Sequence, residues 1–328
     1  MTNKVRWGIL GVANINQRLL PAFAKAQNAQ LAAIASRSLD KAQAAARAAG
    51  IPQAYGTYEQ LLDDPNIDAV YIPLPNHLHA PWTRAAADRG KHVLCEKPLC
   101  PSAAEAAALV AYCKQKKISL MDGFMWPHHP RTHLLRQFLD QGGIGPVRHV
   151  TGSFTFLLAD DPRNIRLSPE AGGGGLLDVG CYPVYGIRWA MQAEPVRVLA
   201  SACFEHGVDV FLMGQLWFPD GRSACFDCGF THPFRQSLEI AGTKGVVFLQ
   251  DMWLPPPKAI FEIRREGSYQ VEQMGVEGRD QIVCMLENFG RAVLEKKPVA
   301  PDPEEAVKTL RVLDALTRSA REGKPVDV

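Results

Sequence analysis

The sequence predicts an α/β protein in two parts, an N-terminal doubly wound parallel sheet followed by a C-terminal α+β domain with an open, mostly antiparallel sheet. Three observations carry this. Up to Asp122, short apolar runs alternate with Ala-, Arg- and Lys-rich stretches of helical spacing, the signature of βαβ units. From Val147 onward the pattern changes to long alternating strands joined by tight-turn residues. The chain has 328 residues, which at roughly 100–200 residues per domain divides into two. The expected division is 1–122 and 123–328.

In chain order, the first apolar run is Val5–Leu10, followed by residues 31–35, Ala69–Ile72, residues 92–94 and residues 118–120. Buried parallel strands are apolar on both faces, as "AAIA" and "AVYI" are. Helical patterns cover 41–49, 81–89 and 103–114. Asp63-Asp64-Pro65-Asn66 reads as a turn, and Ser102 with Glu105 fits a capping box. A helix over 132–141 ends at Gly142-Gly143. Strands then follow as "VRHVTGSFTF", "RVLASACFE", "VFLMGQLWF", "SACFDCGF", "SLEIAGTKGVVFL" and "AIFEIRREGSYQVEQM". The turns between them fall at Pro219-Asp220-Gly221, Gly242-Thr243-Lys244-Gly245 and Arg265-Glu266-Gly267-Ser268. One helix over 176–192 interrupts this meander, and helices over 279–295 and 303–322 close the chain. A sheet with helices on one side leaves an open face. Apolar side chains there predict a homo-oligomer, a dimer or tetramer.

Hydrophobic residues are 47%, charged residues 21% and the net charge is +2. This balance gives no electrostatic reason for nucleic acid or an acidic membrane as partner. No run approaches the roughly 18 apolar residues of a membrane span, and the first residues read as a strand rather than a signal peptide. The eight cysteines are scattered, which predicts reduced thiols and a cytoplasmic protein. Cys225 and Cys228 form the single CxxC, but on a strand they point to opposite faces. No metal site is expected.

The first strand runs into Gly11-Val12-Ala13-Asn14-Ile15-Asn16, where a dinucleotide fold places G-x-G-x-x-G. Gly11 would make the tight turn, and Ala13 is small enough for a pyrophosphate to approach the backbone. The following helix offers its N-terminal N–H groups. The second strand ends in Ser36-Arg37-Ser38, with no acid until Asp40. An NAD-selective site expects Asp or Glu there, whereas a hydroxyl and a guanidinium suit a 2′-phosphate. NADP(H) is therefore favoured over NAD(H). Leu74-Pro75-Asn76-His77 and Glu96-Lys97-Pro98 follow later strands, at the ends where α/β proteins bind ligands.

Together with "GILGVANI" and "GGGGLLDVGCYPV", these motifs make the chain similar to the glucose–fructose oxidoreductase/inositol dehydrogenase/MocA (Gfo/Idh/MocA) family, through to the tail "LRVLDALTRSAREGKPV". The resemblance implies a Rossmann domain followed by an open antiparallel α/β domain. It implies a catalytic Lys97, with Asp178 at the position of the family's acid. Many members place His where this chain has Tyr182. That departure points to the branch resembling dimeric dihydrodiol dehydrogenase, NADP-dependent xylose dehydrogenase and glucose–fructose oxidoreductase, in which the tyrosine exchanges the proton. It further implies that Asn76 and His77 wall the nicotinamide, that Glu96 and Pro98 flank the cofactor, that Arg166 lies near cofactor phosphates or substrate, and that Trp126 and His129 face the substrate.

The residue types suit the chemistry. Hydride transfer at a carbinol carbon leaves a proton to be moved on oxygen. A free tyrosine titrates near roughly pH 10, and a neighbouring ammonium favours its phenolate. Asp178 and Tyr182 are i and i+4 and share a helix face. Glycines 172–175 would let the backbone pass close to the nicotinamide. His79 is expected to be structural. Substrate specificity is expected to lie on the open sheet and in residues 157–170. The expected activity is that of an NADP(H)-dependent oxidoreductase acting on a sugar or related polyol. The alternative is a non-catalytic NAD(P)-binding regulator of the same fold, which should lack the lysine or its partner.

Overall fold

The computed structural model describes residues 4–159, 161 and 163–328. The chain forms two compact units. The first comprises residues up to His128 together with Asp280–Val307, and the second comprises His129–Arg279 together with Lys308–Val328.

The first unit is built on β1 (Val5–Leu10), β2 (Ala29–Ala35), β3 (Gln53–Tyr55), β4 (Ala69–Ile72), β5 (His92–Cys95) and β6 (Leu120–Asp122). They form a six-stranded parallel sheet in the order β3-β2-β1-β4-β5-β6. The order reverses between β1 and β4, the switch point at which such sheets open a crevice at the strand carboxyl ends. All four residues of β4 are buried, as its unbroken apolar run requires. Strand β3 was not anticipated, because three half-exposed residues show no apolar run. The crossovers are α1 (Asn16–Lys25), α2 (Leu39–Ala49), α3 (Tyr58–Asp63), α4 (His79–Asp88) and α5 (Ala103–Gln115). Ser38, Thr57 and Ser102 cap α2, α3 and α5 by accepting backbone N–H groups of Lys41, Gln60 and Glu105.

The second unit begins with α6 (Pro130–Asp140) and β7 (Val147–Leu157). A π-helical turn, Leu176–Gly180, leads directly into α7 (Cys181–Met191). Strands β8 (Arg197–Glu205), β9 (Val208–Trp217), β10 (Ser223–Gly229), β11 (Thr231–Arg235), β12 (Leu238–Gly242), β13 (Gly245–Leu249), β14 (Lys258–Arg265) and β15 (Val271–Glu277) follow. The sheet is ten-stranded, with β7 at its centre between β12 and β10 and with β11 also paired to β7. Pairing is antiparallel except between β7 and β10, which are parallel because α7, β8 and β9 lie between them in the chain. Residues 208, 210, 212, 214 and 216 of β9 are buried, while Met213 and Gln215 are exposed, the alternation of a sheet covered on one face. Arg131 of α6 is almost wholly buried. It pairs with Asp251 and donates to the carbonyls of Asp251, Met252 and Ile260, which offset the burial of its charge.

Two helices close the chain, α8 (Gln281–Glu295) and α9 (Glu304–Glu322), and a short β16 (Val326–Asp327) pairs with β8. Helix α8 belongs to the first unit. Its Ile282, Met285, Leu286 and Phe289 are buried in that unit's core, with Phe289 5.2 Å from the Trp7 ring and Phe23 on another side of Trp7. Asn28 Nδ2 donates to the Glu287 carbonyl at 2.8 Å. The grouping therefore differs from a linear division at residue 122. An apolar helical stripe shows in sequence, but the surface that covers it does not. Phe289→Ala is expected to destabilise the first unit by about 3–5 kcal/mol through the cavity it leaves against Trp7, measurable by urea denaturation.

Candidate active site

The loop after β1 carries Gly11, Val12, Ala13, Asn14 and Ile15. Gly11 has φ +132°, a backbone only glycine adopts readily, and a Cβ there would stand 3.1 Å from the Leu74 side chain. Asn16, in place of the third glycine, is buried and donates from Nδ2 to the Gly11 carbonyl at 2.9 Å, so its side chain fastens the turn. Helix α1 has no side-chain cap and no acid in its first turn, which leaves its positive end suited to phosphate. Val12 is 47% exposed at the loop's tip. At the end of β2, Ser36 is buried and accepts the Ser38 N–H at 3.3 Å, and Arg37 is exposed.

The loops after β4 and β5 are held together by His79. Its ring nitrogens lie 2.9 Å from the Pro98 carbonyl and 2.7 Å from the Leu74 carbonyl. Burial pushes its pKa down, and the charges of Lys97 and His77 act the same way, against the two carbonyls, which favour the protonated ring. Glu96 accepts the phenolic hydrogen of Tyr71, which is wholly buried in β4, and its other oxygen accepts the Lys97 N–H at 3.3 Å. Lys97 is thus set at the carboxyl end of β5 by both of its neighbours. His77 is exposed, and Asn76 is half-buried.

In the second unit, Asp178 lies in the π-turn and Tyr182 in the first turn of α7. Asp178 accepts the Arg166 Nε–H at 2.6 Å, and the Arg166 guanidinium lies 5.7 Å from the Phe156 ring centre. Arg166 was expected beside cofactor phosphates or substrate. The structure places it on the Asp178 carboxylate, a charged pair 12 residues apart that closes across the glycine loop. Tyr182 is 8% exposed, with Phe154 edge-on at 5.0 Å and Trp253 at 5.9 Å. Gly180 allows this packing, since a Cβ there would be 2.7 Å from Cys228 Sγ.

Trp126 and His129 were expected to face the substrate. Trp126 is wholly buried. His129 is 2% exposed, caps α6 by accepting the Arg131 N–H at 3.1 Å, and has its other nitrogen 3.2 Å from the Arg279 carbonyl. Residues 160 and 162 of the expected specificity loop lie outside the described residues. Among the described residues no three His, Cys, Asp or Glu side chains are grouped to hold a metal ion.

Sequence reading missed Asp209 at the start of β9. Its Oδ2 accepts the Leu176 N–H at 2.6 Å, at the head of the π-turn, and the Gly175 N–H also bonds to it. Burial pushes its carboxyl up to about 6, against the backbone bonds that favour the charged form. An acid flanked by valines in "VDVFLMG" was the available signal.

The model of an oxidoreductase family with an NAD-binding Rossmann fold, GFO_IDH_MocA, matches residues 5–124, and that of the GFO/IDH/MocA C-terminal domain matches residues 132–248. The chain belongs to the GFO/IDH/MocA family. Among its relatives, a D-xylose 1-dehydrogenase (NADP(+)) of Haloferax volcanii is 39% identical over 98% of this chain and 99% of that one. A 3-ketoreductase from Actinomadura kijaniata, solved with NADP and TDP-benzene, is 32% identical, with a TM-score of 0.90 over 97% of this chain and 98% of that one. An aldose–aldose oxidoreductase from Caulobacter crescentus, solved with glycerol, is 28% identical, with a TM-score of 0.90 over 99% of this chain and all of that one. The GFO/IDH/MocA members similar to this chain thus include NADP-dependent enzymes of sugars.

Two expectations follow from the site. His79→Ala unties the two loops and should cost about 1–3 kcal/mol in urea denaturation, with weaker dinucleotide binding by fluorescence titration. Folding raises the Asp209 pKa above its usual 3.8, so the folded chain holds that proton more tightly than the unfolded one. The stability this gives is complete below pH about 4 and is lost as pH rises through about 6. Across that window the melting temperature of Asp209→Asn should rise relative to wild type, and a constant difference would refute the assignment.

Proposed function

We propose that the protein transfers hydride between NADP(H) and a carbinol or carbonyl carbon of a sugar or related polyol. The observation that carries this reading is the pair Lys97 and Tyr182, each held by its own surroundings: Lys97 by Glu96 and the His79-tied loops, Tyr182 by α7 and two aromatic rings. Full-length similarity to an NADP(+)-dependent xylose dehydrogenase supports it.

The described residues fit the dinucleotide. The Gly11 turn and the uncapped α1 terminus suit its pyrophosphate, with Val12, Ala13, Asn14 and Ile15 along the loop. Ser36 and exposed Arg37 suit a 2′-phosphate, with no carboxylate beside them to repel it. Leu74, Pro75, Asn76 and His77, with Glu96 and Pro98, line the carboxyl ends of β4 and β5. When bound, the nicotinamide supplies the hydride chemistry.

Tyr182 exchanges the proton of the substrate oxygen. Lys97 is the cation this chemistry calls for, since an ammonium stabilises charge that develops on a substrate oxygen. Asp178, four residues before Tyr182, is fixed by Arg166 at 2.6 Å. The aromatic wall of Phe154 and Trp253 keeps water from one side of the phenol. Exposed Phe204, Met213 and Phe234 on the strands of the second unit support a homo-oligomer, a dimer or tetramer. Eight cysteines without a disulfide support a cytoplasmic setting, and no described helix is long and apolar enough to cross a membrane.

Titration with NADPH and NADH, followed by nicotinamide fluorescence, tests the cofactor assignment. NADPH should bind about tenfold or more tighter, and Arg37→Ala should erase the difference. NADP+-coupled turnover should appear on an aldose such as D-xylose, a keto-sugar or a dihydrodiol. Lys97→Ala and Tyr182→Phe should each lower kcat by about 10²–10⁴. Equal binding of NADH, or full activity of both variants, overturns the reading.

A further inference from the structure

The segment that carries Asp178 and Tyr182 starts from a loop that has no side chains of its own to hold it. Gly172 and Gly174 sit at φ +75° and +112°, and Gly175, the residue before the π-turn, caps nothing with a side chain. Its position is therefore set from outside. The Gly173 N–H donates to the Ser168 carbonyl and the Gly174 N–H to the Arg166 carbonyl, each at 2.9 Å. On the other side stands Asp209. It receives the Leu176 and Gly175 N–H groups, and the loop wraps it so closely that a Cβ on Gly174 would come 2.4 Å from Asp209 Oδ1 and one on Gly175 3.3 Å from Oδ2.

We infer that Asp209 is a positioning residue, a helix cap supplied by a distant strand, which fixes the start of the run Leu176–Gly180 and α7 and through it the places of Asp178 and Tyr182. The physical reason lies in the π-turn. A widened turn has poorer internal bonding than an α-turn, so its first N–H groups need an anchor. A carboxylate at a helix N-terminus also meets the positive end of the dipole. Tyr182 lies six residues beyond the bonded Leu176, and any slip of the cap is carried along a rigid helix to its phenol. Misplacement by about 1 Å at a reacting group costs about 10²-fold in rate.

The charged and titratable groups around Asp209 are few. Arg321 of α9 favours the ionised carboxylate. From β10, Cys228 is fully buried with its thiol pushed well above the usual range, so it stays neutral, and Asp227 is paired with Arg235. Across the sheet the β8 partner is Phe204, which carries no charge. Within the π-turn the charged side chain is Asp178, itself held by Arg166. Protonation of Asp209 turns one of its acceptor oxygens into a donor and weakens the hold on two N–H groups. The catalytic part of this inference rests on the proton-transfer role proposed for Tyr182, whereas the capping part does not.

The test compares the full-length wild type, Asp209→Asn and Asp209→Ala with NADP+ present, by kinetics and by hydrogen–deuterium exchange. Asp209→Ala should lower kcat about 10–100-fold and leave the KM for NADP+ within about twofold, because the dinucleotide loops are elsewhere. Asp209→Asn keeps one acceptor oxygen and should recover part of the loss. Exchange of amides 174–182, corrected for its intrinsic pH dependence, should rise in Asp209→Ala. Local uncapping, unlike unfolding, leaves the carboxyl buried and removes the N–H bonds that favour its charge, so in wild type exchange should also rise from pH about 7.5 to about 5, and Asp209→Asn should remove that step. Unchanged exchange in Asp209→Ala, or a pH step that persists in Asp209→Asn, overturns the inference. Should Asp209→Ala not fold, the pH step in the other two proteins decides alone. Absence of sugar turnover by wild type would sink the hydride-transfer reading, while the exchange data would still decide the cap.

Discussion

The arrangement of the second unit depends on how closely one helix approaches one sheet. Where α7 and the π-turn before it meet β7 and β10, glycines remove the side chains that would hold them apart. A Cβ on Gly152 would meet Pro183 at 2.8 Å, one on Gly180 would meet Cys228 at 2.7 Å, and one on Gly186 would meet Trp253 at 2.6 Å. Contacts this short leave the helix little room to slide or rotate. The phenol of Tyr182 takes its place from this backbone fit, with Phe154 and Trp253 filling the space around it. The indole N–H of Trp253 is in turn fixed on the Ser153 carbonyl at 2.9 Å.

The first unit solves a similar problem by different means. Its functional groups stand on loops after parallel strands, and loops need ties that the strands do not provide. His79 bridges two of these loops, Tyr71 reaches out of the buried β4 to Glu96, and Asn16 closes the turn that begins at Gly11. Each tie is a polar side chain hydrogen-bonded to backbone or carboxylate, and loop geometry is gained. In both units the candidate groups are held in place by other residues, through hydrogen-bonded ties in the first and through packing in the second.

Much of this was legible in the chain itself. The apolar run of β4 and the largely apolar run of β1 marked the parallel sheet, and burial alternates along "VDVFLMGQLW", a half-covered strand. The Gly11 turn and Glu96-Lys97-Pro98 were visible because each is a local pattern with a local cause, a positive φ and a strand end, whereas the Asp178–Tyr182 spacing was read on one α-helix face and the structure puts Asp178 in a π-turn. The parallel pairing of β7 with β10, strand β11 beside β7, and the return of α8 to the first unit were not visible, since each depends on which surface is nearby in space.

The sequence by itself determined the fold class and the dinucleotide end of the first sheet, because hydrophobic period and turn chemistry act over a few neighbours. Only the tertiary structure decided what holds the candidate residues in place. It put Arg166 on Asp178, gave His129 to a helix cap, buried Trp126 in a core and brought Asp209 of β9 beneath a glycine loop more than thirty residues earlier in the chain. Those decisions follow from packing, which joins residues far apart in sequence wherever burying apolar surface and satisfying polar groups require it.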